Sequence, residues 1–338
     1  MSYFCSVNNK TEIMNILQFI NTFPTEEKCL EHFANLRLER GIKCEKCGKN
    51  TKHYWLQDQK RFKCAKCRAK SSYKSGTLME NSKLTIQQWF MILHLMTSTK
   101  KTFSALEMQR QLGIKRYEPV WYAMHKIRAT MGKRDEKYKL MGDIEIDDAF
   151  FTTVDLTATP ETEEPLKRGR GSQKKSQVMV MVESIPVTPE VKNEKYGNSA
   201  KHRPSRKMGF VKMVVMDDLS SEGINYEVKK HVDEKAQVIS DGWKGYAKLP
   251  EVVAGHQQET VPAKEAHKTL PWVHTNIGNS KRILDGLHHS IGRPYLQNYL
   301  NEFSYKLNRR NFESDMFDRI MAAGVDSVWY KNKAQYYR

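Results

Sequence analysis

Apolar residues recur at helical spacing early in the chain, give way to short alternating runs, and then return to each pattern in turn. Ile13, Ile16, Phe19 and Ile20, followed by Cys29, Phe33 and Leu36, predict helix over residues 11–40, broken in two at Pro24. From 40 to 80 the alternation shortens, with Tyr54, Leu56 and Phe62 in brief runs between two cysteine-containing turns. Residues 84–132 predict three helices. Ile86, Trp89, Phe90, Leu93 and Met96 line the first, Ser104-x-x-Glu107 opens the second, and Gly113 ends it. Pro119 suits the first turn of the third, striped by Val120, Met124, Ile127 and Met131. Two short helices joined through a glycine turn fit a helix-turn-helix.

The style changes at Asp143. Ile144 and Ile146 alternate with Asp143, Glu145 and Asp147, a period-two strand with a carboxylate-rich face. Further strands are predicted at 176–184, 209–216 and 237–240, with a helix over 221–232 and polar loops over 155–175 and 185–208. From about Asn301 the chain is helical and aromatic-rich. This order predicts an α/β domain, a mixed sheet flanked by helices. The expected domains are a helical segment (1–39), a ribbon (40–81), a helix-turn-helix region (82–140), an α/β domain (141–312) and a tail (313–338). No apolar run approaches the roughly 18–20 residues that span a bilayer, and the start lacks a leader pattern, so a cytoplasmic protein without a membrane partner is expected.

Charge sharpens the division. Of a net +17, almost all lies in residues 1–140, with 27 Lys and Arg against 12 Asp and Glu; the remainder holds 29 against 27. So concentrated an excess is the footprint of a polyanion-binding module, and the turns and cysteines within it argue against one membrane-surface helix. Nucleic acid is the expected partner. Lys43, Lys46, Lys63, Lys66 and Arg68 around the turns, and Lys115, Arg116, Tyr122 and Lys126 in the helical region, are candidate contacts.

Four of the six cysteines form two CxxC turns, Cys44 with Cys47 and Cys64 with Cys67, sixteen residues apart. In a reducing compartment such paired turns predict a structural Zn2+ site, whose thiolate bonds replace a core too small to hold the segment. The other chemistry is carboxylate. Asp147 lies on the first strand of the α/β domain, Asp241 just beyond a later one, and Asn279 enters a predicted helix 38 residues on. Oxygen donors converging from separate elements suit a hard cation, whereas aspartates at strand ends also commonly cap turns. Asp148, Asp285 and Glu302 are rival carboxylates. His274, Trp243 and Tyr246 serve equally as structural groups, and His288-His289 lack a third zinc-ligand partner.

Taken together these pieces resemble the bacterial insertion-sequence transposases of the fifteen-ninety-five group. The resemblance rests on CEKC and CAKC; on Ser75-Gly76-Thr77-Leu78-Met79-Glu80 before Trp89-Phe90; and on Ser104-Ala105 with Gln111-Leu112-Gly113 and Trp121. It continues through Glu145-Ile146-Asp147-Asp148, through Ser240 to Tyr246, through His274 to Lys281, and through Tyr299 to Phe303 with Asn308-Arg309-Arg310. It implies a ribonuclease-H-like fold and a DNA transposase, cutting the terminal inverted repeats of its element and joining the 3′-hydroxyl to target DNA. Asp147, Asp241 and Asn279 would hold catalytic Mg2+ or Mn2+, with Lys281 at the scissile phosphate, in a homodimer or larger synaptic complex on the nucleoid. Many DDE enzymes carry Glu where this chain has Asn279. A neutral amide still offers an oxygen but brings no charge, which leaves open a non-catalytic DNA-binding regulator on the same scaffold.

Overall fold

The computed structural model describes residues 14–154, 175–187, 206–259, 269–288, 291–310, 316–326 and 328. Most of the two loops expected at 155–175 and 185–208, His289, the first residues of the N-terminal segment and most of the tail lie outside the described residues. Two compact units emerge, residues 1–131 with 309–338, and residues 132–308. No described helix is long and apolar enough to cross a membrane.

The first unit opens with α1 (Ile16–Thr22) and α2 (Glu26–Arg40), separated at Pro24. Asn15 caps α1 with a full capping box, and the Thr25 hydroxyl accepts the Lys28 amide at the start of α2. The ribbon follows, with β1 (Ile42–Lys43) paired to β2 (Asn50–Thr51), then a three-stranded antiparallel sheet of β3 (His53–Leu56), β4 (Arg61–Cys64) and β5 (Lys70–Ser72). Its apolar core is small. Phe62 packs with Ala34 and Ile42, and Trp55 and Tyr73 lie against them. The three predicted helices are α3 (Ile86–Ser98), α4 (Ala105–Gln111) and α5 (Tyr117–Asp135). Thr85 and Gln88 form a capping box on α3, the Ser104 hydroxyl accepts the Glu107 amide on α4, and Gly113 takes φ +61° in the turn before α5. A C-terminal helix, Met316–Asp326, also belongs to this unit. Phe317 meets Phe19, Phe23 and Phe90 at ring separations of 5.7–5.9 Å, and Arg40 forms a two-bond ion pair with Asp326.

The second unit is a five-stranded mixed sheet: β6 (Asp143–Thr152), β7 (Lys175–Pro186), β8 (Arg206–Met216), β9 (Gln237–Asp241) and β10 (Gly255–Glu259). Their spatial order is β10-β9-β6-β7-β8, with β6, β7 and β8 antiparallel in sequence and β9 and β10 added in parallel on the other side of β6. The four strands expected from alternation are present. Helix α6 (Ser221–His231) covers one face, where Ile144, Ile146, Met179 and Met181 pack with Ile224 and Val228. Helices α7 (Pro271–Leu287) and α8 (Leu296–Asn308) cover the other, where Ala149, Phe151, Val178 and Val180 pack with Val273, Leu284 and Leu300. Alternation along β6 therefore sends its even-numbered side chains to α6 and its odd-numbered ones to α7.

Candidate active site and zinc module

The two CxxC turns bring four thiols together. The ligand sulfurs of Cys44, Cys47, Cys64 and Cys67 all lie within 4.8 Å of one another. Cys44 Sγ is 3.6 Å from Cys67 Sγ, and Cys47 Sγ is 3.9 Å from Cys64 Sγ. Four sulfurs on a tetrahedral zinc at bond lengths near 2.3 Å stand roughly 3.8 Å apart, so the donor set fits zinc, whereas a disulfide needs about 2.05 Å. The backbone makes this possible. The Gly48 amide returns to the Cys44 carbonyl and the Arg68 amide to the Cys64 carbonyl, with Gly48 at φ +69° and Arg68 at φ +59°. The Cys67 amide, then the Thr51 hydroxyl, hold the Cys64 thiol well below the usual range, whereas the Cys67 thiol above all pushes Cys47 up to about 12.

The carboxylate site lies on the α7 face of the mixed sheet. Strands β6 and β9 run parallel with Glu145 opposite Ile239 and Ile146 opposite Ser240. Asp147 and Asp241 each stand one residue beyond that last pair. They therefore lie side by side, on the face shared by Glu145 and Ile239, at about the 4.8 Å spacing of adjacent strands. The end of β9 is a tight turn in which Asp241 Oδ1 accepts the Trp243 amide at 3.1 Å. Burial pushes the Asp147 carboxyl up to about 7; the Asp148 amide opposes the shift, the Asp148 and Asp241 carboxylates add to it, and Lys281 counters them. His274 Nδ1 lies 3.7 Å from Asp147 Oδ2.

Glu145 determines where α7 begins, and sequence reasoning gave it no role. One of its oxygens accepts the amides of Trp272 and Val273 at 2.8 and 3.1 Å, capping the helix from the strand beneath it. The signal was its period-two relation to Asp147, which puts both carboxylates on one face. From that anchor, α7 carries His274 to Asp147 and Lys281 to the Phe151 ring, with Nζ 5.5 Å from its centroid.

Other expected site residues are placed differently. A helix advances roughly 100° per residue, so Lys281 lies within about 20° of His274, and Asn279 about 140° away. Asn279 is exposed, on the flank of Asn276, whose Nδ2 reaches Met208 Sδ on β8 at 3.0 Å. Asp148 points to the α6 face. Tyr246 is buried in that core, edge-on to Trp243 at 5.4 Å, which removes it as a stacking surface. Glu302 is buried with Lys306, 3.1 Å away, and so is not a third ligand carboxylate. Lys43, Lys46, Lys66, Arg68, Lys115 and Arg116 are exposed and Lys63 half-buried. Lys126 is not a surface contact: it is buried, and its ammonium donates to the Glu80 carbonyl at 2.7 Å. Its place one turn from the buried Ala123 and Thr130 turns it into the helical core.

Among the described residues, three or more potential metal-ligating side chains converge only at the four cysteines. The sheet site offers two carboxylates, an all-oxygen donor set that fits a hard divalent cation.

Family comparison covers both regions. Residues 139–308 match the ISXO2-like transposase domain, and residues 24–70 match the transposase zinc-ribbon domain. No curated protein matches the chain. With the transposase domain covering half of its length and the zinc ribbon preceding it, this chain belongs to the IS1595 family of transposases.

Proposed function

We propose that this transposase cuts DNA at the ends of its element and joins the exposed 3′-hydroxyl directly to target DNA, using Mg2+ or Mn2+ held by Asp147 and Asp241. The observation that carries the reading is the side-by-side placement of these two aspartates on adjacent parallel strands. The 3-2-1-4-5 strand order, antiparallel on one side of the first strand and parallel on the other, supports a ribonuclease-H-like core. Bound divalent ions would supply charge neutralisation and activation of the attacking oxygen.

The chain's own residues provide position and charge. Asp147 and Asp241 present oxygens from two rigid strands. His274 orients Asp147 from one side, and Lys281 brings a positive charge to the scissile phosphate. Glu145 fixes the helix that carries both. Both reactions are in-line displacements at phosphorus, so one site serves cutting and joining without a covalent protein intermediate. Asn279 as a third, neutral oxygen donor requires α7 to turn about its axis on DNA, and Asn279→Ala in the cleavage assay below tests it. The ribbon and the α4–α5 pair would recognise the terminal inverted repeats, and pairing two ends requires at least two copies of the chain.

The exposed, uncharged Asn279 favours one second reading, a DNA-binding regulator without catalysis. The experiment is cleavage and joining of labelled DNA bearing the inverted repeats that flank the gene, in Mg2+. Wild type gives nicked and joined products, and Asp241→Ala gives neither while still binding DNA. Unchanged biological output from Asp147→Ala and Asp241→Ala would establish the regulator instead.

A further inference from the structure

The three-stranded ribbon sheet has two unlike faces. Alternation turns Trp55, Phe62 and Cys64 inward, and Phe62 and Cys64 are fully buried. Tyr54, Leu56, Arg61, Lys63 and Lys70 fall on the other face. Tyr54 is 51% exposed there, and Arg61 and Lys70 are exposed. The strand register orders these side chains into transverse rows. Tyr54 pairs with Lys63, which pairs with Lys70; beside them Leu56 pairs with Arg61, which pairs with Ser72. Lys52, one alternation before Tyr54, sets its ammonium 5.5 Å from the tyrosine ring centroid.

Two features of this face call for a ligand. Lys63 and Lys70 are directly opposed across β4 and β5, and like charges so placed destabilise a sheet. Among the described residues neither lysine forms an ion pair with a carboxylate, and Lys70 donates to the amide oxygen of Gln59 at 2.9 Å. A polyanion would relieve that repulsion. Tyr54 is the second feature, a half-exposed aromatic ring on a sheet surface with the Lys52 ammonium 5.5 Å from its centroid and Lys63 as its cross-strand neighbour, and exposed aromatics among cations are what unpaired bases stack on. A paired duplex would satisfy the charges but would keep its bases from the ring.

We infer that the outer face of the ribbon sheet binds a single-stranded DNA segment, with a base on Tyr54 and its phosphates on Lys52, Arg61, Lys63 and Lys70. The inference rests on the reading of the protein as a DNA transposase and assigns the ribbon a grip on the unpaired strand at an opened end.

The test is fluorescence anisotropy of the full-length, zinc-loaded protein with a labelled 20-nucleotide oligothymidine and a 20-base-pair duplex, across a salt series. Tyr54→Leu should weaken single-strand binding by roughly 5- to 100-fold, leave its salt slope intact, and change duplex binding less than about twofold. The double variant Lys63→Gln/Lys70→Gln should lower the single-strand salt slope by about 1.4. Lys28→Gln, an exposed lysine paired with Glu31, is the single-charge surface control and should change neither. Zinc content equal to wild type in each variant verifies that the ribbon is folded. Silence of Tyr54→Leu, or equal loss on both DNAs, in zinc-replete protein would overturn the inference and leave the transposase reading standing. Failure of wild type to bind either DNA would overturn both.

Discussion

Glu145 and Trp272 tie the first strand of the α/β unit to the helix that overlies it: the Trp272 amide donates to a Glu145 oxygen at 2.8 Å, across 127 residues of sequence. The adjoining Val273 amide donates to the same oxygen at 3.1 Å. Glu145 is only 2% exposed, and burial, its largest influence, raises its carboxyl above the usual range against the pull of those amides. Glu145→Ala would leave two amides of a buried helix start without an acceptor, costing about 2 kcal/mol. Glu145→Gln keeps an oxygen acceptor and should cost less. Urea unfolding of both variants measures the difference, and equal stability of Glu145→Ala and wild type would refute the cap.

Zinc removal should act locally. The ribbon's apolar core is little more than Ala34, Ile42 and Phe62, so four thiolate bonds carry its fold. Chelation should expose the amides of β4 and β5 to hydrogen exchange while those of β6, β7 and β9 stay protected. Simultaneous loss of protection in both sets would contradict separate stabilisation.

Lys212 gives the pH dependence a sign. It is 7% exposed, and burial pushes its ammonium down to about 8, opposed by Asp135 and Glu136. Its Nζ donates to the carbonyls of Asp135 and Tyr138. Between pH 8 and 10.5 the unfolded chain keeps this proton and the folded chain releases it, so folding stability rises with pH across that window. Wild type should therefore gain up to about 3 kcal/mol relative to Lys212→Met between pH 8 and 10.5. Thermal unfolding of the pair over that range gives the measurement; a constant gap would contradict it.

The local features were legible in the sequence, and the long-range ones only in part. Two CxxC turns are self-contained, so Cys44 to Cys67 announced their cluster. Alternation about Ile144 and Ile146 identified β6 and the face of Asp147. Strand β10, Gly-His-Gln-Gln-Glu, went unread because it has no apolar residue to mark it. The pairing of β6 with β9, which sets Asp147 beside Asp241, is a register between segments 94 residues apart and leaves no trace in either. Helix α7 starts at Pro271, eight residues before Asn279, so Asn279 sits mid-helix and its direction follows from turn count rather than from its neighbours. Lys126 looked like a basic surface residue because a buried lysine satisfied by a backbone carbonyl has the same letter as an exposed one.

A divalent ion shared by Asp147 and Asp241, as proposed, can be located directly. Fe2+ substituted for Mg2+, with ascorbate and peroxide, cuts a polypeptide beside the residues that bind it. Mass spectrometry of the fragments should show paired cuts near 147 and 241, suppressed by excess Mg2+ and lost together in Asp241→Ala. A cut at one aspartate alone, or cuts indifferent to Mg2+, would contradict a shared ion site.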